Sequence, residues 1–157
     1  VYDSGEHYHF LALNEAAIKQ PTGTLVADIY LGNQIFERFR GDGISVATPT
    51  GSTAYNKANG GAVLHPSLSA IQMSEIASIN NRVFRTLGSP LIVPQGQEII
   101  MKPKSDHFLV MYDQSDIKVK SITELRFRVA DKQVHFAAYR HVDFWQRVHR
   151  AFISDIE

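Results

Sequence analysis

Short apolar segments separated by turn residues dominate this chain. Leu25 to Leu31 (LVADIYL) is apolar and rich in β-forming residues, and it ends at Gly32-Asn33. Glycine at the first central position of a two-residue turn suits a type II′ hairpin, so a return strand is expected over Ile35 to Phe39. A further strand, Ile44 to Ala47, is expected after a tight turn at Gly41-Asp42-Gly43. Pro90 to Val93, Glu98 to Lys102, Phe108 to Tyr112, Ile117 to Ile122, Glu124 to Val129 and Val134 to Tyr139 read as strands for the same reason. Clusters at Gln95-Gly96, Lys104-Ser105-Asp106 and Ala130-Asp131-Lys132 punctuate them. Val1-Tyr2, a turn at Asp3-Ser4-Gly5 and the apolar run after it read as a hairpin already under way. Short strands with turns at this spacing predict a mainly β fold, an antiparallel β-sandwich, rather than βαβ units.

Three helices are expected within that pattern. The first runs from about Ser52 to Asn59. The second follows Pro66, with Ser67 as its cap and Leu68, Ile71 and Ile76 as its apolar stripe. The third is C-terminal: Asp143 caps it, and Phe144, Val148, Phe152 and Ile156 recur every four residues. That stripe is expected to bury the helix against the sheet or against a partner subunit.

The chain has 157 residues, enough for one domain with a core, here taken as residues 1 to 157. Its formal net charge is zero, which gives no electrostatic case for nucleic acid or an anionic membrane as partner. With no cysteine, disulfides, thiolate zinc sites and a cysteine nucleophile are excluded. No apolar run approaches the roughly 20 residues that span a bilayer. The polar, acidic N-terminus does not read as a signal peptide, so a cytoplasmic location is the default expectation. The first residue is Val rather than Met, and the opening reads as the middle of a domain, so a fragment is expected.

The richest stretch for chemistry is TPTGSTAYNKANGG, residues 48 to 61. Pro49 pushes Thr48 into an extended conformation, so a strand ends there. Gly51 permits a sharp turn, and Ser52 and Thr53 stand where a helix leaves its first N–H groups unpaired. Two readings stand open: a well-capped helix start, or a cradle for a polar ligand that uses those donors, the hydroxyls of Thr50 and Thr53, and Tyr55. The GK[ST] ending of a P-loop is absent, and the pattern is not G-x-S-x-G. Asn14-Glu15, closing the run FLALNE, offers paired donors and acceptors for a ribose diol or an adenine edge; a plain strand terminus is the alternative. Asp42 and Asp113 are turn residues with the same ambiguity. The histidines are scattered, and His7 with His9 lacks a third ligand at a convincing spacing, so no metal site is expected.

Taken together, LALNEAAI, FRGDGISVATPTGSTAY, GGAVLHPSL and SINNRVF resemble the consecutive motifs of NAD kinases, in that family's order and across essentially the whole chain. The resemblance is to the C-terminal, NAD-binding domain, a β-sandwich that assembles into homodimers and homotetramers. It implies that Thr50, Thr53 and Ala54 contact adenine, that Asn14 and Glu15 hold polar groups of the adenosine, and that Tyr55 lines the site beside phosphates and ribose. It implies that Asp42 reaches the nicotinamide of an NAD bound largely by a neighbouring subunit, and that Ala77 and Ile79 flank the nicotinamide pocket. Ala58 stands where relatives often carry Ser, which removes a hydroxyl from the nicotinamide side. Asp113 joins the binding set, with Gln114 after it where some relatives have His or Gly.

The family's catalytic Asp lies in a GGDGT motif of an N-terminal α/β domain. Gly41-Asp42-Gly43 is not that motif, because Arg40 precedes it and Ile44 follows. The resemblance thus implies an enzyme that phosphorylates NAD to NADP with ATP or inorganic polyphosphate. Mg²⁺ would enter with the phosphate donor, and no catalytic residue would lie within this chain. A non-catalytic NAD(P)-binding sensor and a domain related to lipid kinases are the rival expectations.

Overall fold

The computed structural model describes residues 1–3, 5–105, 107–117, 121–137 and 142–154. Among the described residues twelve strands form, all paired antiparallel: β1 Tyr2–Asp3, β2 Glu6–His7, β3 Glu15–Lys19, β4 Leu25–Leu31, β5 Gln34–Gly41, β6 Gly43–Ala47, β7 Ala70–Ile76, β8 Leu91–Pro94, β9 Ile99–Pro103, β10 Leu109–Tyr112, β11 Ser115–Asp116 and β12 Ile122–Phe127. They make two six-stranded sheets, ordered β2-β1-β12-β9-β4-β5 and β11-β10-β3-β6-β7-β8. Leu25, Ala27, Ile29, Phe39, Ile99, Met101 and Leu125 of the first sheet join Ile18, Ile44, Val46, Ile71, Met73, Val93 and Val110 of the second in one buried apolar cluster. The fold is mainly β and antiparallel, as expected.

The β4–β5 hairpin follows the expected chemistry. Leu31 pairs with Gln34 across a two-residue loop, and Gly32 alone in that loop has positive φ, at 61°. One left-handed residue at the first central position is the type II′ signature.

The segment Gly41-Asp42-Gly43 is not a hairpin turn. β5 belongs to the first sheet and β6 to the second, so Asp42 sits at the corner where the chain changes sheets. Its N–H donates to the Ile76 carbonyl and its carbonyl accepts from Gln20 N–H, both at 2.9 Å. The glycines serve close approach: a Cβ on Gly43 would meet the Ile18 carbonyl oxygen at 2.3 Å, and one on Gly41 would meet the Ile76 and Ala77 oxygens at 2.9 Å.

Two expected helices are corrected. Residues after Pro66 form strand β7, where Ile71 and Met73 point to the core while Gln72 and Ser74 take the opposite side. That is a period of two, which a helical spacing of Leu68, Ile71 and Ile76 misread; Leu68 lies before the strand and is exposed. The helix expected from Ser52 breaks into a 3-10 turn, Thr50–Thr53, and one α-helical turn, α1, Tyr55–Ala58. Between them Ala54 has φ −96° and ψ −131°, outside the helical region.

Strand β3 was not foreseen, since EAAIK carries good helix formers; its pairing with β6 and β10 decides the matter. Residues 134–137 make no strand, and the rest of the expected Val134–Tyr139 strand lies outside the described residues, as do Ser4 and residues 118–120 of Ile117–Ile122. Helix α2, Phe144–Phe152, begins as expected, with Asp143 accepting from the N–H groups of Trp145 and Gln146. None of its residues is buried against the sheets of this chain, which leaves the stripe to the other expected cover, a partner subunit. Phe144 meets the His65 ring edge-on at 5.1 Å, and the Lys57 ammonium lies 4.6 Å from the Phe152 ring centroid. Ile156 lies outside the described residues. No helix among the described residues is long and apolar enough to cross a membrane.

Candidate functional site

Most of the candidate residues gather on the side of the second sheet that faces away from the core. Here the strand ends at Ala47, and the return of the chain over its own sheet is fixed by three side chains. Thr48 Oγ donates to the Leu13 carbonyl at 2.5 Å and accepts from Gly51 N–H at 3.1 Å. Ser52, fully buried, donates to the Pro49 carbonyl at 2.6 Å and accepts from Leu64 N–H at 2.9 Å. Asn56, also fully buried, accepts from Ser74 Oγ at 2.9 Å. Gln72 completes the layer: its amide takes Ala62 N–H at 2.8 Å and gives to Ala62 O at 3.0 Å. Buried polar groups are stable only when paired this way.

Sequence reasoning missed Asn56, Gln72 and Ser74 as structural groups. The signal was present in β7, where polar Gln72 and Ser74 alternate with Ile71 and Met73.

The glycines of the stretch have steric roles. A Cβ on Gly51 would stand 2.1 Å from the Asn14 carbonyl oxygen, so only glycine lets the turn lie against the start of β3. Gly60 takes the left-handed conformation, with φ 77°. Neither short helix is capped by a side chain at its N-cap position, and α1 has only four residues. Thr48, one residue before the N-cap, still caps the Gly51 N–H of the 3-10 turn, while α1 is too short to offer a dipole site. What remains is a division among the hydroxyls. Thr48 and Ser52 are committed to the fold, whereas Thr50, Thr53 and the Tyr55 hydroxyl make no hydrogen bond among the described residues.

Beside them, Asp113 closes the loop before β3. Its carboxylate accepts from the N–H groups of Leu13 and Asn14, each at 2.8 Å, and of Glu15 at 3.2 Å, while its own N–H donates to the Glu15 carbonyl at 2.8 Å. Asp113 has φ 49°, a left-handed conformation that Asp tolerates better than most residues. The Asn14 carboxamide is left free by these bonds. Glu15 Oε2 is buried without a hydrogen-bond partner among the described residues. Burial raises the Glu15 carboxyl above its ordinary value, and the nearby Asp113 charge adds to the rise. Glu15, Ala17, Lys19, Tyr55, Met111 and Asp113 line a shallow depression of about 230 Å³. The Lys19 ammonium stands 4.3 Å from the Tyr55 ring centroid on its wall.

Not all candidates meet there. Asn14, Glu15, Thr50, Thr53, Ala54, Tyr55, Ala58 and Asp113 belong to the Ala47 end of β6 and the helical turn after it. Asp42, Ala77 and Ile79 belong to the opposite end, where Gly43 pairs with Ile76 and Lys19. Five strand residues separate the ends, roughly 16 Å at about 3.3 Å per residue. Ala54, Ala58, Asp42 and Ala77 are exposed, and Thr50, Thr53 and Ile79 are half-buried. Ala77 has φ 47°, and Ile79 N–H donates to the Arg40 carbonyl at 2.7 Å. Among the described residues no group of three His, Asp or Glu side chains could hold a metal ion.

Two antiparallel sheets around one core, presenting free hydroxyls, a carboxamide and an unpaired carboxylate oxygen over one strand end, define a β-rich domain built to display polar groups. The sequence model of the ATP-NAD kinase C-terminal domain matches residues 13–139, and the chain belongs to that family. The NAD kinase of Leuconostoc citreum (strain KM20) is 88% identical over 157 residues, which are all of this chain and 59% of that protein. The NAD kinase of Enterococcus faecalis (strain ATCC 700802 / V583) is 55% identical over 94% of this chain and 56% of its own length. Among solved structures, the NAD kinase of Archaeoglobus fulgidus in complex with ATP superposes with a TM-score of 0.64 at 27% identity, over 76% of this chain and 46% of that one. Yeast NADH kinase complexed with NADH gives 0.62 at 29% identity, over 72% of this chain and 32% of that one. The chain thus spans somewhat under three-fifths of the curated relatives it matches.

Proposed function

We propose that this chain is the NAD-binding and oligomerisation domain, residues 1 to 157, of an enzyme that phosphorylates the adenosine ribose 2′-hydroxyl of NAD to give NADP. The observation that carries this reading is the split among the hydroxyls: Thr50, Thr53 and Tyr55 are spare beside a free Asn14 carboxamide and an unpaired Glu15 oxygen. Adenine offers ring nitrogens that accept and an amino group that donates, and ribose offers a diol. The spare groups match both. Thr50, Thr53 and Ala54 would meet the adenine, Asn14 and Glu15 the adenosine's polar groups, and Tyr55 the ribose and phosphates. Asp113 would act from behind, by holding the backbone of residues 13 to 15.

Asp42, Ala77 and Ile79 would serve the nicotinamide end of an NAD held mostly by a neighbouring subunit; Ala58, at the opposite end of β6, would face the nicotinamide side of the NAD whose adenosine this subunit holds. Exposed Ile35 and Phe36 on β5, an edge strand, support assembly into a dimer or tetramer. The NADH and ATP of the two superposed structures support NAD and ATP as ligands. Inorganic polyphosphate is the alternative donor. Mg²⁺ would arrive with the donor phosphates, since the residues described do not make a cage for it. We place the activity in the cytoplasm, with neither nucleic acid nor membrane as partner.

Calorimetric titration of NAD into the full-length protein carrying Thr53→Val tests the reading. Loss of a hydrogen-bond partner to a buried polar group costs about 1–3 kcal/mol, roughly ten- to a hundredfold in affinity. Unchanged affinity in a folded variant refutes the assignment.

A further inference from the structure

Away from the depression, two carboxyl groups face each other between the sheets. Glu37 on β5 is only 6% exposed, and Glu75 on β7 approaches it within hydrogen-bonding reach. Consecutive amides of the segment between β7 and β8 hold both: Leu87 N–H donates to one Glu37 oxygen at 2.9 Å, and Gly88 N–H to one Glu75 oxygen at 3.0 Å. The remaining oxygens, Glu37 Oε1 and Glu75 Oε2, are buried and have no donor among the described residues. Two bare acceptors side by side repel unless a proton stands between them.

We propose that Glu37 and Glu75 share one proton, and that this carboxylic acid–carboxylate pair is a clamp positioning the segment of residues 77 to 88. The segment is fastened at both ends to β5. At its start Ile79 N–H donates to the Arg40 carbonyl, and the Arg40 guanidinium lies 5.2 Å from the Phe84 ring centroid. At its end stand the two glutamates. The start of the segment carries Ala77 and Ile79, so the clamp bears on the nicotinamide end of the site; this last step rests on the proposed NAD-binding reading.

The charges around the pair leave the proton as the simplest partner. Arg38 points to Asp28, with a closest approach of 3.8 Å. Arg40 is taken by Thr24, to whose hydroxyl its Nε donates at 3.0 Å, and by Phe84. Arg82 and Arg85 are exposed on the segment itself. Burial pushes the Glu37 carboxyl up to about 7, against the Leu87 amide and with the help of Glu75. A carboxyl raised on folding contributes stability that is complete below its unfolded value of 4.5 and is lost as pH rises to about 7.

The test compares the full-length wild type with Glu37→Gln, whose amide donates permanently to Glu75 while its oxygen still accepts from Leu87. Thermal melts from about pH 5 to about pH 8.5 should show the wild type losing several degrees relative to the variant as pH rises. Hydrogen exchange in residues 77 to 88, corrected for intrinsic rates, should quicken as pH rises from about 5 to about 7 in the wild type and not in Glu37→Gln. These readouts need no NAD, so they stand or fall apart from the binding-site reading. Should Glu37→Gln fail to fold, Glu75→Gln offers the same replacement from the other side. Parallel melting or exchange curves overturn the shared proton. NAD affinity, read by calorimetry at both ends of the range, should weaken with pH several-fold more in the wild type than in the variant. The same pH dependence in both proteins overturns the positioning role.

Discussion

Asp113 and Asn14 are 99 residues apart in the chain, yet the Asp113 carboxylate accepts the Asn14 N–H at 2.8 Å. With the neighbouring amides of Leu13 and Glu15 it forms a small nest around one carboxylate. That contact ties β10 to the start of β3 and aims the Asn14 and Glu15 side chains. It makes Asp113 a positioning residue.

Asp113→Ala should therefore cost about 1–3 kcal/mol of stability, by orphaning these amides and removing a residue suited to positive φ. NAD affinity should fall with it, roughly tenfold, because the adenosine contacts proposed for Asn14 and Glu15 would lose their aim. Asp113→Asn keeps the left-handed preference and an acceptor, so its loss should be smaller. Chemical denaturation and calorimetric titration on the same samples check both effects. An Asp113→Ala protein of full stability and full affinity contradicts the nest.

Gly51→Ala is the steric counterpart. Its Cβ would stand 2.1 Å from the Asn14 carbonyl oxygen and 2.4 Å from the carbonyl carbon, and backbone cannot yield as a side-chain tip can. A loss of about 3 kcal/mol is expected, at the upper end of overpacking costs. Gly60→Ala meets nothing within 4 Å but has φ 77°, so only about 1–2 kcal/mol should go. Thermal unfolding of the two variants gives the comparison, and equal losses would refute the distinction.

Alternation, turn chemistry and the Asp143 cap make most of the strands and the last helix legible in the sequence. The misreadings have physical causes. EAAIK and AIQMSEI both contain good helix formers, and only pairing with neighbours far along the chain makes them strands β3 and β7. The tight turn at Gly41-Asp42-Gly43 is legible from its glycines, but composition cannot say that the next strand joins another sheet. Nor could the stretch after Thr48 disclose which hydroxyls it spends on itself. Thr48 and Ser52 were indistinguishable from Thr50 and Thr53 until Leu13, Pro49 and Leu64 were placed beside them.

Glu15 predicts a pH effect distinct from that of Glu37. Its carboxyl is raised by burial and then by Asp113. The folded protein thus holds this proton more tightly than the unfolded chain, and the associated stability is lost as pH rises through the folded value. Glu15→Gln should abolish that component, leaving stability unchanged in acid and higher at neutral pH. NAD affinity should nevertheless fall at neutral pH, since a neutral amide is a weaker acceptor than a carboxylate for a ribose hydroxyl. Melts across the acid range together with calorimetry would show both. A variant that matches the wild type in each assay refutes the assigned roles.

The last prediction concerns Asp42, whose carboxylate is exposed at the corner between β5 and β6 while its backbone is bonded to Ile76 and Gln20. The fold uses the main chain of this residue and leaves its side chain idle. Asp42→Asn should therefore leave the unfolding free energy within about 0.5 kcal/mol of the wild type, as a surface change normally does. A carboxylate that accepts from the nicotinamide carboxamide and balances the ring's positive charge would lose most of its electrostatic attraction on becoming an amide. NAD affinity should drop about tenfold, the usual range for a charge-assisted contact. If that nicotinamide belongs to an NAD held mainly by a neighbouring subunit, ligand and assembly are linked. NAD should shift a light-scattering dilution series of the full-length protein towards the larger species, because a ligand bound across two chains stabilises their association. In Asp42→Asn the shift should shrink even at saturating NAD. A strict monomer that binds NAD as tightly as the assembled form, with or without Asp42, would show that the two ends of β6 serve separate purposes.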